Sequence, residues 1–432
     1  MKKFVNVGLM GAGTVGGGVL QVLAKNADDI KKKVGIPIRI TKVFAREAKE
    51  LRKQYGDNYV YTTEALDILN DPEIDIVVEL LGREHPAVEF ITEAFNNGKS
   101  VVTANKDVIA KYGSELFPLA EKHNCDFMFE GSVGGGTPII QPLKTCLAAN
   151  KITSIMGIVN GTTNYMLTKM SREYLDYADV LKEAQEKGYA ESDPTADVGG
   201  LDAARKLVIL ASIAFNTRIS LEDVKIEGIE NIALSDIRHA EDLGYTIRLL
   251  AIAKNIGEHG ISVCVHPVML PLTHPLASVN DVYNAIFVTG DAVGEAMFMG
   301  LGAGRMPTAS AVCGDVIDVA RNILHGDTGR IKCTCFEEKH LCSIENMSSP
   351  CYIRMNVMDK PRVLAAIAAA FGENNVSLRN VIQKNRVASG AEIVVITHNV
   401  SEFDLQMAVQ TLSALPAVDK ICSVIRVEDK NL

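Results

Sequence analysis

The chain is predicted to be an α/β protein with a doubly wound parallel sheet, followed by two α+β domains. Three observations support this prediction. A short apolar strand runs directly into a glycine-rich turn and an apolar helix near residue 11. Strand and helix patterns then alternate to about residue 130, as in parallel sheets covered by helices. After residue 351 the pattern becomes βαββαβ, which is typical of a small ferredoxin-like module.

Length and composition restrict the function. A chain of 432 residues predicts two or three domains, and a hydrophobic fraction of 47% is ordinary for a soluble globular protein. The net charge of −9 argues against nucleic acid or an anionic membrane as a partner. Lys2 and Lys3 before an apolar stretch resemble a signal peptide, but glycines at dinucleotide-binding spacing explain that stretch better. We therefore expect an uncleaved, cytoplasmic protein.

The amino-terminal motif predicts a Rossmann-type dinucleotide site. The strand at 4–9 is followed by Gly-x-Gly-x-x-Gly and by an apolar helix at 19–24. In that context the first glycine permits a tight turn, the second lets the backbone approach a pyrophosphate, and the third allows helix and strand to pack closely. The predicted cofactor-binding residues of the motif are Gly11, Gly13, Thr14, Val15 and Gly16.

The end of the second predicted strand, 36–44, bears on the choice of cofactor. An acidic residue there binds the ribose in NAD enzymes. Here Arg46 follows the strand, with Lys49 nearby. An arginine at this place favours the 2′-phosphate of NADP. Glu47 follows at once, so NAD stays open, and Arg46 could also be an exposed loop cation.

The remaining elements follow from periodicity and breakers. Two strand ends, at 80–82 and 103–106, should lie on the ligand side of the parallel sheet. A mixed sheet with helices on one face is expected in the middle of the chain. The other predicted strands are 74–81, 100–103, 152–159, 261–266 and 285–289, and the helices are 86–97, 175–187, 203–215, 236–253 and 309–324.

A loop rich in carboxylates precedes a strongly apolar helix. Glu191, Asp193 and Asp197 lie around Pro194, and the loop continues through a glycine pair to Asp202 and Lys206. The last two are four residues apart and share a helix face. They could be a solvated ion pair that stabilises a helix start. The whole set, however, suits a small zwitterionic substrate that must exchange a proton.

Together with the nucleotide motif, this loop resembles the monofunctional homoserine dehydrogenase family. The family signature Ala-x-x-x-Gly-Tyr…Asp-Pro-x-x-Asp-x-x-Gly-x-Asp-x-x-x-Lys is met at every position between Ala184 and Lys206. The resemblance implies reversible hydride transfer between NAD(P)H and L-aspartate 4-semialdehyde, giving L-homoserine for threonine, methionine and isoleucine biosynthesis.

The resemblance also implies roles for individual residues. Lys206 would donate the proton, and Lys106, in an Ala-Asn-Lys that the family shares, would assist it. Two lysines that converge would lower each other's pKa, because like charges disfavour the charged form. Glu191 and Asp202 would hold the substrate ammonium or a water, and Asp197 would shape the loop. Further cofactor contacts would come from Lys106, Gly188, Gly302 and Gly304.

A glycine-dense stretch at 131–136 indicates that the backbone there closely approaches a ligand or another part of the chain. In the family the equivalent stretch binds a monovalent cation such as sodium, largely through backbone carbonyls. The alternative is a mobile hinge between domains. By position, the implied ligands are Glu130, Val133, Gly135 and Thr137.

The carboxyl-terminal residues 351–432 resemble an ACT domain, a module that senses amino acids. Arg362 stands where amino-acid-binding ACT domains have a glycine after Asp-x-Pro. Threonine feedback is therefore in doubt, and the module could instead assemble subunits into a homodimer or homotetramer. The predicted domains are 1–130, completed by a return helix at 303–328, then 131–302, a linker at 329–350, and 351–432.

Nine cysteines fit reduced thiols, and the linker carries most of the clustered ones. Their spacing matches no common zinc pattern, so linker thiols are expected, with a disulfide between subunits as the alternative. The clustered residues are Cys333, Cys335, His340, Cys342 and Cys351.

Two rival functions remain: another two-domain NAD(P) oxidoreductase acting on an amino-acid semialdehyde, and a non-catalytic amino-acid sensor, which would not need both lysines.

Overall fold

The computed structural model describes residues 2–343, 347–387 and 390–428. It divides into two compact units, each assembled from three stretches of chain. The first unit comprises Met1–Ile155, Arg205–Glu222 and Tyr283–Glu338, and the second comprises Met156–Ala204, Asp223–Val282 and Lys339–Leu432. The four-part division expected from the sequence stays a prediction.

The strands alternate with helices through the first 130 residues, as the sequence predicts. In chain order they are β1 (Val5–Met10), β2 (Ile38–Phe44), β3 (Val60–Thr62), β4 (Ile76–Glu79), β5 (Ser100–Thr103), β6 (Phe127–Met128), β7 (Ile152–Ile158), β8 (Lys225–Ile226), β9 (Tyr245–Asn255), β10 (Ile261–Pro271), β11 (Tyr283–Gly290), β12 (Gly294–Leu301), β13 (Ser348–Ser349), β14 (Cys351–Val357), β15 (Leu378–Val387), β16 (Gly390–Thr397), β17 (Val400–Ser401) and β18 (Val418–Val427).

The helices connect and cover these strands. They are α1 (Thr14–Lys25), α2 (Ala27–Val34), α3 (Ala48–Tyr55), α4 (Leu66–Leu69), α5 (Ala87–Asn96), α6 (Lys106–Lys122), α7 (Gly161–Glu173), α8 (Tyr177–Glu186), α9 (Thr195–Val198), α10 (Leu201–Ala214), α11 (Leu234–Asp242), α12 (Arg305–His325), α13 (Val363–Glu373) and α14 (Glu402–Ser413). Within the described ranges, none combines the length and hydropathy that a membrane span requires.

The first unit contains a six-stranded parallel sheet in the order β3-β2-β1-β4-β5-β6. The order reverses between β1 and β4, and ligands bind at such switch points beyond the carboxyl ends of the strands. Helix α12 returns to this sheet, where Val312 and Val316 share a core with Val7 and Val19. The predicted doubly wound fold is confirmed.

The second unit carries a sheet in which β9, β10, β18, β14, β16 and β15 are neighbours in that order. The last four strands, with α13 and α14, form the expected βαββαβ module around its own apolar core. Its final strand pairs in parallel with β10, where Val268 lies opposite Arg426. The carboxyl-terminal module therefore extends the preceding sheet.

One predicted helix, at 236–253, is wrong beyond Asp242. Gly244 has a φ of +82°, which ends α11, and the apolar run that follows forms β9 beside β10. From Thr246 to Ala253 every residue is buried, so the strand shows no alternation between polar and apolar positions. A short apolar run of this kind cannot be told from a buried helix by its period.

Candidate active site

The glycine-rich turn between β1 and α1 has the geometry of a phosphate site. Gly11 has a φ of +97°, and a Cβ at Gly16 would lie only 2.1 Å from the Gly11 carbonyl oxygen. Gly13 is the N-cap of α1 and has open space where a side chain would be. The first helical residues, Thr14 and Val15, thus present backbone amides at the positive end of a helix dipole.

A cavity of about 410 Å³ opens beside this turn. It contains the exposed guanidinium of Arg46 and the neighbouring Glu47, as the sequence suggests, and also Arg83, which the sequence analysis missed. Arg83 directly follows the strand-end segment 80–82, so only its place in the topology could have indicated it. The lining residues are Gly11, Ala12, Gly13, Phe44, Ala45, Arg46, Glu47, Leu51, Leu81, Arg83 and Pro86.

A buried carboxylate, Glu79, ties two strand ends together on this side of the sheet. It accepts hydrogen bonds from the Leu81 amide and the Thr103 hydroxyl, each at 2.7 Å. Burial raises the pKa of Glu79, and these donors oppose the rise. The Thr103 hydroxyl in turn accepts the Asn105 amide at 3.0 Å. The network fixes the turn that leads to Lys106, and Glu79 was not singled out from the sequence.

Lys106 is the first residue of α6, directly after the N-cap Asn105, whose side chain accepts the Val108 amide at 3.3 Å. The other predicted lysine, Lys206, lies in α10. An ion pair of 3.1 Å joins Asp107, in the first turn of α6, to Arg205, in the second turn of α10. Each partner is the chain neighbour of one of the lysines. That the lysine side chains face one another stays a prediction.

In the second unit, Asn160 joins two of the predicted carboxylates. Its side-chain amide donates to Asp197 at 2.7 Å and to Asp202 at 2.9 Å. Its oxygen accepts the Thr163 amide at 2.9 Å, so Asn160 is also the N-cap of α7. The sequence marked the polar turn that begins at Asn160 but gave that residue no role.

Gly188 and Glu191 lie in the loop that follows α8. Gly188 has a φ of +73° and ends that helix. Its amide donates a hydrogen bond to the Gln185 carbonyl at 3.0 Å. The Gln185 side chain returns to the Glu191 carbonyl at 3.1 Å. Glu191 itself is exposed. The loop geometry therefore leaves the Glu191 carboxylate accessible to a small ligand.

The glycine-dense stretch packs against the residues that follow β12. A Cβ at Gly135 would lie 2.5 Å from the Gly302 carbonyl oxygen, and the Gly136 amide donates to the Leu301 carbonyl at 3.0 Å. Gly304, with a φ of +127°, is the N-cap of α12. The stretch is thus a tightly packed element of the first unit.

The buried polar groups around this stretch partly fit a cation. The Glu130 carboxylate accepts the backbone amides of Ile139, Ile140 and Gln141 at 2.6–2.9 Å. The Thr137 hydroxyl is buried and has no hydrogen-bond partner within the described chain. The same holds for both polar atoms of the Asn284 side chain, a residue that sequence reasoning missed.

Comparisons with known proteins agree with this geometry. The family model for the homoserine dehydrogenase NAD binding domain matches residues 11–130, that for homoserine dehydrogenase matches 138–317, and that for the ACT domain matches 352–417. The homoserine dehydrogenase of Bacillus subtilis is 42% identical and that of Corynebacterium glutamicum 43%, with 96–99% of each chain covered.

Solved structures give the same result. A homoserine dehydrogenase from Thiobacillus denitrificans superposes with a TM-score of 0.93 at 40% identity, covering 99% of both chains. A hyperthermophilic archaeal homoserine dehydrogenase mutant in complex with NADPH has a TM-score of 0.63 at 30% identity. That match covers 73% of this chain and 97% of the archaeal one.

Proposed function

This chain belongs to the homoserine dehydrogenase family, and we propose that Lys206 and Lys106 manage the proton of its reaction. The enzyme is an NAD(P)-dependent oxidoreductase that interconverts L-aspartate 4-semialdehyde and L-homoserine. The nicotinamide, when bound, supplies or accepts the hydride. The protein must orient the substrate and supply or remove one proton at its oxygen.

Lys206 is the proposed proton donor to the aldehyde oxygen, and Lys106 assists it. The observation that carries this assignment is the Asp107–Arg205 ion pair, because it holds the start of α6, which bears Lys106, against the turn of α10 that bears Lys206. An ammonium group near the substrate oxygen also stabilises the negative charge that develops there during hydride transfer. In the reverse direction the neutral amine of Lys206 would take the proton from the homoserine hydroxyl.

Glu191 and Asp202 are the proposed partners of the substrate ammonium. A carboxylate accepts hydrogen bonds from an ammonium, and such charge-assisted hydrogen bonds are strong. Asp197 is assigned to shaping the loop. The Asn160 amide supports these assignments, because its two donated hydrogen bonds fix the orientation of Asp197 and Asp202 relative to each other.

NADP is the proposed cofactor, with NAD as the weaker one. Gly11, Gly13 and the first amides of α1 suit the pyrophosphate, and Arg46 suits the 2′-phosphate. Arg46, Arg83 and Glu47 line one cavity, so two positive charges and one negative charge face the cofactor there. This excess of positive charge supports the choice of NADP. Gly302 and Gly304 are proposed to approach the cofactor from the start of α12.

A monovalent cation such as sodium is proposed at the glycine-dense stretch. The buried Thr137 hydroxyl without a partner supports it, and so do the turns at Gly134 and Gly135, with φ of +70° and +54°, which redirect successive carbonyls. Val133, Gly135 and Glu130 would contribute carbonyl oxygens. Hard monovalent and divalent cations prefer such oxygen ligands.

The ACT module suggests an amino-acid effector, and Arg362 argues against the usual mode of binding. Arg362 has a φ of +75°, a conformation that glycine adopts freely and other residues adopt at a cost. We therefore assign the module to subunit assembly within a homodimer or homotetramer.

Homoserine oxidation tests the proposal. Purified protein would be mixed with L-homoserine and either NADP or NAD, and the absorbance of the reduced nicotinamide would be followed with and without threonine. Reduction of NADP faster than NAD is expected, with no effect of threonine. No reduction of either cofactor, in protein shown to bind both, would overturn the assignment and lead to tests of other amino-acid semialdehydes.

A further inference from the structure

A second polar site lies in the first unit, where α6 and α10 meet the residues that follow α12. Its cavity holds only about 20 Å³, enough for one water-sized molecule. Two cysteines, Cys333 and Cys335, line it together with Lys144 and Arg218. None of the four takes part in the reaction described above.

Both cations are held by aromatic rings. The Lys144 ammonium lies 5.6 Å from the ring centre of Phe117 and 5.3 Å from that of Phe129. The Arg218 guanidinium lies 5.7 Å from the Phe117 ring centre. Such cation–π contacts stabilise a positive charge but do not neutralise it. The site therefore needs an anion.

The anion is provided by sulfur. Burial lowers the pKa of Lys144, and the groups that oppose this are Cys333, Cys335 and Asp315. Burial also raises the pKa of Asp315 well above its ordinary value, which disfavours its charged form. Arg218 donates a hydrogen bond from Nη2 to Cys333 Sγ at 3.4 Å. Cys333 thus has a cation in direct contact and a second one close by.

The two thiols influence each other. Hydrogen bonding to Cys335, with Arg218 and Lys144, holds the pKa of Cys333 well below the ordinary value. The Cys335 thiol also contacts the Ser212 carbonyl, with its sulfur 3.6 Å from that oxygen. The pKa of Cys335 is raised by its neighbour Cys333 and by burial. The result is a thiolate beside a thiol, and Cys333 is only partly buried, so small reagents reach it.

We propose that Cys333 and Cys335 form a peroxide-reactive dithiol site, in which Cys333 attacks and Cys335 resolves. The Cys333 thiolate forms an S–O bond with hydrogen peroxide while the O–O bond breaks, and the hydroxide that leaves takes up a proton to become water. Sulfur is oxidised by two electrons and peroxide is reduced. The Cys335 sulfur then displaces the hydroxyl from the sulfenic acid, which forms an S–S bond and releases a second water with the Cys335 proton.

The first test is the rate of alkylation at pH 6. The folded, reduced full-length protein would be treated briefly with iodoacetamide, and each cysteine would be quantified by peptide mass spectrometry. At this pH well under 1% of an ordinary thiol is ionised. Cys333 is expected to react at least about tenfold faster than the exposed Cys146, because only a thiolate reacts at a useful rate. An equal or slower rate at Cys333 would overturn the proposal.

The second test separates the two roles. Treatment of the wild-type protein with a few equivalents of hydrogen peroxide should yield a peptide that contains a Cys333–Cys335 disulfide, which a dithiol reductant reverses. Cys335→Ser keeps a hydroxyl donor but removes the resolving sulfur, so dimedone should trap a sulfenic acid at Cys333 in this variant. An Arg218→Met variant should slow the alkylation of Cys333 several-fold, whereas Arg218→Lys should retain most of it. Absence of the disulfide in folded wild-type protein would contradict the proposal, as would an unreactive Cys333 in Cys335→Ser.

Discussion

Arg46 gives the most direct residue-level prediction. It is exposed, lines the cofactor cavity and forms part of no core, so its removal should leave the fold intact. If its guanidinium binds the 2′-phosphate, Arg46→Ala should raise the KM for NADPH by roughly ten- to a hundredfold, the effect of a lost charge-assisted contact of about 1.5–3 kcal/mol. The KM for NADH should change little.

The matched control for this measurement is Lys53→Ala, which removes an exposed cation from α3, the helix that follows Arg46, outside the cavity. Steady-state kinetics with both cofactors would be compared for the two variants. Equal effects of Arg46→Ala on NADPH and NADH would mean that Arg46 is only a surface charge.

His266, in β10, should make stability depend on pH. Burial, with Arg426 and Lys225, lowers its pKa to about 3, and the Pro267 carbonyl and Glu402 oppose this shift. The unfolded chain binds the proton near pH 6.5, so it holds more protons than the folded chain below that pH. The free energy of unfolding therefore decreases as pH falls from about 6.5 towards 3. At pH 5 the decrease is about 2 kcal/mol.

His266→Gln should remove this loss, because glutamine does not titrate and can still donate to the Pro267 carbonyl, which the His266 Nδ1 contacts at 3.0 Å. Unfolding by urea would be measured at pH 7 and at pH 5. The exposed His259→Gln is the control and should leave the wild-type dependence unchanged. A variant at position 266 that loses as much stability as the wild type between these pH values would contradict the account.

Residue roles were predictable where a local motif carries them. Gly11, Gly13 and Gly16 follow from their spacing, and the structure gives each one a geometric reason. Glu79 was not predictable, because its role arises from a contact with Thr103, which is far away along the chain. A buried polar residue in an apolar strand gives no indication of its partner until the strands are placed side by side.

At the scale of elements, one buried ion pair joins α11 to β14. Arg354 donates from Nε and Nη2 to the two oxygens of Asp236 at 2.6 and 3.1 Å, and the Asp236 side chain has no exposed area. Tyr352 and Ser423 donate to the same carboxylate at 3.0 and 2.7 Å. Removing the cation alone would leave a buried charge without its counter-ion.

Arg354→Met should therefore destabilise the second unit by about 3–5 kcal/mol. The double variant Asp236→Asn/Arg354→Met should recover a large part of that loss, because the Asp236 charge is gone. Glu392, which also pairs with Arg354 at 3.3 Å, keeps His239 at 3.3 Å. The midpoints of denaturant unfolding would be compared for the two variants and the wild type. If the single and double variants unfold at the same midpoint, the loss comes from packing and not from the buried charge.

Most elements were predicted with the right form, including the apolar helix at 203–215, which forms α10, but one continuous apolar run was not. The strand at 100–103 and the module after 351 agree with the structure, whereas β9 was taken for the end of a helix. The hairpin strand β12 was missed, although its residues alternate between exposed and half-buried. Glycine and methionine interrupt the alternation of polar and apolar residues that would predict a strand. Local pattern shows that a segment is buried, but neighbouring strands decide its form.

At the scale of the whole molecule, the fold class and the family follow from motifs at two distant places in the chain. What the sequence does not show is which distant stretches associate. Arg205–Glu222 belongs to the same compact unit as the nucleotide motif, although nearly two hundred residues separate them along the chain. That association depends on packing between helices, and it allows the Asp107–Arg205 ion pair to form.

The central claim is that Lys206 handles the proton of the reaction, and the most direct test is the kinetics of Lys206→Ala. We expect kcat to fall by roughly 10²–10⁴, the range for lost acid–base catalysis, while the Kd for NADPH stays unchanged. Lys182→Ala, an exposed lysine on α8, is the control and should turn over normally. Near-normal turnover in Lys206→Ala would contradict the account.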